Sequence, residues 1–171
     1  KMLSDEGRQA IEDIQRFCAR NEVQRVCQSF CSQSITEVNL QNRNLGDEHV
    51  KALADALRIN QTVKHVNLRS NSFGDEGMKA LADALRANKT ITSVDLRSNS
   101  FGDEGMKALA DTFRANKTVL ALGLTIATRD RCNTTCNEGL QALASALEVN
   151  EAIIQVNLDM SRDELARSMM P

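Results

Sequence analysis

The sequence predicts a single curved α/β solenoid, with a parallel β-sheet on the concave face and α-helices on the convex face. Two observations predict it: a repeat of 28 residues, and a change of hydrophobic period in the middle of each repeat. Residues 63–90 and 91–118 differ at only six of 28 positions. Residues 35–62 follow the same pattern, and residues 119–152 follow it with six extra residues. One such unit cannot bury its apolar faces alone, so neighbouring units must stack.

Each unit combines a strand pattern with a helix pattern. In the second unit, Val66 and Leu68 alternate with polar residues, which is typical of a short, half-buried strand. Further along, Met78, Leu81 and Leu85 have the spacing of one apolar helix face. Helices are about 10 Å wide and paired strands lie about 4.8 Å apart. The stack should therefore curve, with the sheet on the inside.

The helix ends are marked by charge and by asparagine. Asp75 begins the second helix and Arg86 ends it, in the order that the helix dipole favours. The asparagine that follows is expected to adopt a left-handed conformation that closes the helix. Such asparagines also belong to N-x-T sequons, and we assign them to helix termination rather than to glycosylation. They are Asn60, Asn88 and Asn116.

The repeat matches a known pattern almost fully. Residues 63–90 and 91–118 fit L-x-x-L-x-L-x-x-N-x-L followed by G-D-x-G-x-x-x-L-x-x-A-L-x-x-N. This pattern resembles the ribonuclease-inhibitor class of leucine-rich repeat, over roughly residues 35–160. The resemblance implies a leucine-rich-repeat solenoid and, in general terms, a protein-binding role. Ribonuclease binding itself is not implied, because that family's inhibitor has many more repeats and an aromatic, acidic surface that this chain lacks.

The resemblance also implies a buried asparagine ladder. Asn71 and Asn99 would occupy the position where a side-chain amide bonds the backbone of adjacent turns. Arg43 and Ala127 stand at this position in the flanking units. We therefore expect the ladder to be interrupted on both sides.

Residues outside the repeat are predicted to close its two ends. Residues 1–34 carry two apolar helical stripes, and two short helices there would cover the edge of the first strand. Residues 153–171 supply a last strand and then a capping helix, which Ser161 and Glu164 would begin as a capping box. We expect one capped, monomeric domain over residues 1–171.

Composition narrows the class of partner. The chain has 21 Lys and Arg against 23 Asp and Glu, without the clustered positive charge that nucleic-acid binding requires. No apolar run approaches the roughly 20 residues of a membrane span. Five cysteines, with no C-x-x-C pair, favour reduced thiols in a reducing compartment. We predict a cytoplasmic protein that binds another protein, and neither nucleic acid nor membrane.

The sequence does not predict an enzyme, a cofactor or a metal site. His49 and His65 are the only histidines and fall in different parts of the unit, so no catalytic grouping can be argued from them. Six of the eight glycines occupy two repeat positions, where we expect turns and close packing rather than a nucleotide loop. One alternative stays open: thiol-dependent activity or redox sensing at Cys132 and Cys136, which flank the insertion.

Three columns of polar side chains on the concave face form the predicted binding surface. Neighbouring strands are close enough for one column to contact an extended chain or a protein face. Arg69 and Arg97 suit a carboxylate or a phosphate; alternatively, Asp95 neutralises one of them. The loop over residues 125–135 is the second candidate surface. The candidate partner-binding residues are Glu37, Asn39, Gln41, His65, Asn67, Arg69, Ser93, Asp95, Arg97, Thr125, Arg129, Arg131, Gln155, Asn157 and Asp159.

These observations predict a non-enzymatic scaffold that binds a protein partner through the concave face or the 125–135 loop. A second resemblance supplies an alternative. The segment ITEVNLQN at 35–42, the cap before it and the few repeats with a closing helix are similar to the carboxy-terminal domain of tropomodulins, which caps actin filaments. That resemblance implies actin or cytoskeletal binding. The absence of Trp and Tyr predicts modest, polar recognition in either case.

Overall fold

The computed structural model describes residues 36–126 and 136–160, in which five strands alternate with four helices. The strands are β1 (Glu37–Asn39), β2 (His65–Asn67), β3 (Ser93–Asp95), β4 (Ala121–Ile126) and β5 (Gln155–Met160). The helices are α1 (Asp47–Ile59), α2 (Asp75–Ala87), α3 (Asp103–Ala115) and α4 (Cys136–Glu148). This architecture confirms the predicted α/β solenoid of leucine-rich-repeat type.

The five strands form one parallel sheet in the order of the chain. Its register advances by one unit at each strand, because Val38 lies opposite Val66 and Val66 lies opposite Val94. The same row continues through Leu122 to Val156. A slip of one residue would turn this apolar row towards the concave surface, so burial fixes the register.

The core lies between the sheet and the helices. The predicted helix stripe is confirmed, since Met78, Leu81 and Leu85 are fully buried. Phe73 and Phe101 stack with their ring centroids 5.8 Å apart. Equivalent residues of successive units therefore pack on one another, and each unit supplies one layer of the core.

Asn71 and Asn99 form the predicted ladder. The Nδ2 of Asn71 donates to the carbonyls of Leu40 at 3.0 Å and Leu68 at 2.8 Å. Its Oδ1 accepts the backbone N–H of Arg43 at 3.1 Å. Asn99 donates in turn to the Leu68 carbonyl at 2.9 Å. The side-chain amides thus join turns of neighbouring units. They supply hydrogen-bond partners for backbone groups that the strand pairing leaves unsatisfied.

The asparagines that follow the helices form a second ladder, and their predicted left-handed conformation was wrong. Asn60, Asn88 and Asn116 have φ of −71°, −72° and −79° with extended ψ. This conformation turns the side chain inward. The Nδ2 of Asn88 donates to the Leu57 carbonyl at 2.7 Å, and its Oδ1 accepts the N–H of Ile91 at 2.9 Å. The amide therefore caps a carbonyl in the last turn of the preceding helix.

Burial of these asparagines supports the assignment to helix termination. Asn88 is only 3% exposed, and its Nδ2 donates to the carbonyls of Leu57 and Asn60. The threonine of the sequon has a structural role too, because the Oγ1 of Thr90 donates to the Val63 carbonyl at 3.0 Å. In the folded chain the amide nitrogen of Asn88 is not accessible to a glycan.

A third ladder, which the sequence did not reveal, joins the helix starts. The Oδ1 of Asp75 accepts the N–H groups of Gly102 at 2.7 Å and Gly105 at 2.8 Å, both at the beginning of the next helix. A Cβ at Gly105 would lie 2.9 Å from that oxygen. This confirms that the glycine serves close packing. Asp47 makes the same two bonds to the following unit.

The predicted ends fall largely outside the described residues. Residues 1–34, the helix proposed from Ser161, and Ala127 are among those that the structure does not describe, so both caps and the ladder stop at Ala127 remain predictions. Val156 and Leu158 share the helix-facing side of the sheet with Leu122, as predicted. They are nevertheless exposed, by 38% and 53%.

Candidate functional site

The concave face carries the predicted columns in the predicted alignment. The strand register sets Glu37, His65, Ser93, Ala121 and Gln155 in one row, and Asn39, Asn67, Asp95, Gly123 and Asn157 in the next. In the third row, Thr125 lies opposite Asp159. Arg129 and Arg131 lie outside the described residues.

Asp95 and Arg97 form an ion pair in the middle of this face. The Nε of Arg97 lies 2.9 Å from Oδ1 of Asp95, and its Nη2 lies 2.6 Å from Oδ2. The side chains are 21% and 23% exposed. A Cβ at Gly123 would stand 2.7 Å from Oδ1 of Asp95, so the carboxylate lies over the glycine of the next strand. Of the two alternatives for the arginines, neutralisation of one by Asp95 is confirmed.

The pKa of Asp95 reflects this pair. Burial alone would raise the pKa, but the hydrogen bonds from the Arg97 side chain and backbone and the charges of Arg97 and Arg69 outweigh it. The net result is a pKa below the ordinary value of an aspartate. A lowered pKa means that the pair stabilises the folded state when Asp95 is ionised.

Asp95→Asn should therefore destabilise the protein in a pH-dependent way. The stabilisation is fully present above the unfolded-state pKa of about 3.9 and is lost as the pH falls through the lower folded-state pKa. At pH 7 we expect the free energy of unfolding of the variant, measured with urea, to lie about 1 kcal/mol below that of the unsubstituted chain. This difference should shrink towards zero in acid. Asp111→Asn, which removes the more exposed pair with Arg114, is the matched control and should change the free energy of unfolding by only about 0.3 kcal/mol. A difference for Asp95→Asn that stays constant down to pH 2 would contradict this account.

Other polar groups of the concave face also bond one another. Asn67 donates from Nδ2 to Oε1 of Gln41 at 3.3 Å, and Gln155 donates from Nε2 to Oδ1 of Asn157 at 3.1 Å. The Oγ1 of Thr125 accepts the N–H of Ser98 at 2.8 Å. A partner on this face must compete with bonds that already exist, which limits the net gain per contact.

The structure also reveals exposed apolar side chains that the sequence did not predict. In the described part of the chain, the large apolar side chains that remain exposed all lie C-terminal to β3. They are Leu120, Val149, Ile154, Val156 and Leu158. The signal was present in the repeat: the residue just before each strand changes from polar in the first three units to apolar at Leu120 and Ile154.

Two further observations concern metals and membranes. Within residues 36–126 and 136–160, no three His, Cys, Asp or Glu side chains are placed so that they could hold a metal ion. No helix in that part of the chain is long and apolar enough to cross a membrane. Cys132 and the side chain of Cys136 lie outside the described residues, so the thiol alternative remains a prediction.

Comparison with known families identifies the repeat more closely. Residues 11–136 match the TMOD/LMOD leucine-rich domain. The chain belongs to this family. Membership confirms the resemblance to tropomodulins, and it favours the alternative function over the general scaffold.

Two solved structures resemble this TMOD/LMOD domain. One is leiomodin-1 actin-binding site 2, with a TM-score of 0.70 and 23% sequence identity over 86% of this chain and 85% of that chain. The other is a Caenorhabditis elegans tropomodulin C-terminal domain, with a TM-score of 0.65 and 14% identity over 96% of this chain and 88% of that chain. At these identities the likeness shows the fold. No curated protein sequence matches the domain.

Proposed function

We propose that this TMOD/LMOD domain binds actin. The observation that carries the proposal is the family match over residues 11–136. Leiomodin-1 actin-binding site 2, which shares the fold, supports it. The resemblance to tropomodulins further suggests a filament end, rather than the filament side, as the binding position.

The architecture supports a docking role. Three ladders join neighbouring units: the ladders of Asn71, of Asn88 and of Asp75. A surface that is fixed in this way loses little conformational freedom on binding, so more of the contact energy appears as affinity. Because Trp and Tyr are absent, we expect modest affinity from this domain alone.

Co-sedimentation with filamentous actin tests the proposal. We expect the purified chain to pellet with filaments in a saturable manner, and to stay in the supernatant without actin or with microtubules. Shearing the filaments at constant actin concentration multiplies their ends, so end binding predicts more bound chain after shearing. The proposal fails if folded chain remains in the supernatant at every actin concentration.

A further inference from the structure

The residue just before each strand forms a continuous row along one edge of the concave face. Backbone bonds link the row, because Lys64 donates to the Thr36 carbonyl, Thr92 to Lys64, Leu120 to Thr92 and Ile154 to Leu120, at 2.8 to 2.9 Å. The side chains of this row are polar in the first three units and apolar in the last two. Leu120 and Ile154 are thus direct neighbours in space.

We define the end patch as the three exposed apolar residues Leu120, Val149 and Ile154, the second of which opens the loop between α4 and β5. The residues are 38%, 60% and 81% exposed. All three lie where a helix leads into the next strand, and the Nζ of Lys117 donates to the Val149 carbonyl at 3.2 Å. Exposed apolar side chains that cluster within a polar rim are typical of protein-binding sites.

The charge at the rim of the end patch differs in sign between the third and the fourth unit. Two repeat positions that hold Arg114 and Lys117 in the third unit hold Glu148 and Glu151 in the fourth. All four side chains are exposed. A complementary surface on the partner would present an apolar side chain with an acidic group on one side and a basic group on the other. This order of charges would fix the orientation of the partner on the end patch.

We propose that the end patch is the surface of this domain that docks an actin subunit, and this inference rests on the proposed function. The concave face is the weaker candidate, because Arg97 is held by Asp95 and several neighbouring polar groups bond one another. At the end patch, docking removes exposed apolar surface from water, which is the main favourable term in association. The charged rim then selects the partner and its orientation.

Single substitutions test the end patch against a matched position of the same row. Ile154→Asp and Leu120→Asp should each weaken actin co-sedimentation about tenfold or more. Thr92→Asp, which adds the same charge at the equivalent position one unit earlier, should change it by less than about twofold. Circular dichroism and the melting temperature should be the same for Ile154→Asp and the unsubstituted chain, because Ile154 is mostly exposed.

Charge reversal supplies a second, independent readout. Lys117→Glu and Glu151→Lys should each weaken binding, because each substituted side chain would face a like charge on the partner. Binding that is unchanged by both charge reversals would contradict the proposed orientation.

The outcomes separate this inference from the proposed function. One outcome is that the unsubstituted chain binds actin and the Ile154→Asp and Leu120→Asp variants bind it equally well. In that case the assignment of the end patch is wrong and the proposed actin binding stands. If the unsubstituted chain does not bind actin, both fail. A dimer in sedimentation velocity that Ile154→Asp converts to a monomer would assign the patch to a second copy of the chain, and a large fall in melting temperature would assign it to a segment of the same chain. Either result overturns the proposal.

Discussion

Asn88→Ala is expected to lower the free energy of unfolding by about 3–5 kcal/mol. The side chain donates to the carbonyls of Leu57 and Asn60 and accepts the N–H groups of Thr90 and Ile91, all within 2.9 Å. Truncation leaves these four backbone groups without the amide, at a site where Asn88 is 3% exposed. Each buried group without a partner costs about 1–3 kcal/mol, and partial entry of water reduces the sum.

The measurement is urea unfolding followed by circular dichroism. Asn39→Ala is the matched control, because Asn39 is exposed and accepts one bond, from the N–H of Gln41 at 3.3 Å. We expect a change within about 0.5 kcal/mol for the control. Equal effects of the two substitutions, or a loss below 1 kcal/mol for Asn88→Ala, would show that the second ladder does not stabilise the solenoid as described.

Gly105→Ala is expected to destabilise the protein by about 1–3 kcal/mol, although alanine is the better helix former by about 1 kcal/mol. The added Cβ would lie 2.9 Å from Oδ1 of Asp75, 3.0 Å from the Cβ of Phe101 and 3.1 Å from the Cβ of Met78. These neighbours are parts of short side chains or lie next to the backbone, so they cannot rotate away. The steric cost should therefore exceed the gain in helix propensity.

Gly102→Ala is the control within the same unit. A Cβ at Gly102 would lie 3.7 Å from Oδ2 of Asp75, which is an ordinary contact. The same measurement should give a change of only a few tenths of a kcal/mol, roughly the difference between glycine and alanine at a helix N-cap. If Gly105→Ala stabilised the protein, the close packing at the third ladder would be refuted.

The fold was predictable because its strongest signals repeat. The alternation at Val66 and Leu68 and the helix stripe of Met78, Leu81 and Leu85 recur one unit later. Recurrence fixes both the element type and the register, since every unit must bury the same face. The ladder at Asn71 followed from the resemblance to a known repeat, and its geometry agrees with that expectation.

Two features were not predictable because they depend on contacts between units. A local rule for helix ends gave Asn88 a left-handed conformation, but its extended backbone is set by bonds to Leu57 in the preceding unit. Asp75 was assigned to the helix dipole, whereas its oxygen also binds Gly102 and Gly105 one unit later. Sequence patterns within one unit contain no information on such pairs.

For the candidate site, only the arrangement of the concave residues in rows across the strands was predictable. The strand register agrees with the predicted rows. The sequence left open whether Asp95 neutralises one of the two arginines, and the short distance from Asp95 to Arg97 shows that it does. The end patch was overlooked because single apolar residues, such as Ile154, were interpreted as strand residues. Their exposure depends on what packs beside the last strand, which the repeat does not specify.

Direct binding of the folded chain to purified actin tests the central claim, that this leucine-rich domain is an actin-binding module. The measurement is fluorescence anisotropy of the labelled chain titrated with actin filaments, on a sample whose cooperative thermal unfolding has been verified. We predict a saturable rise in anisotropy that weakens as salt is added, because the rim of the end patch is charged. No change in anisotropy at any actin concentration, from a chain shown to be folded, would contradict the claim.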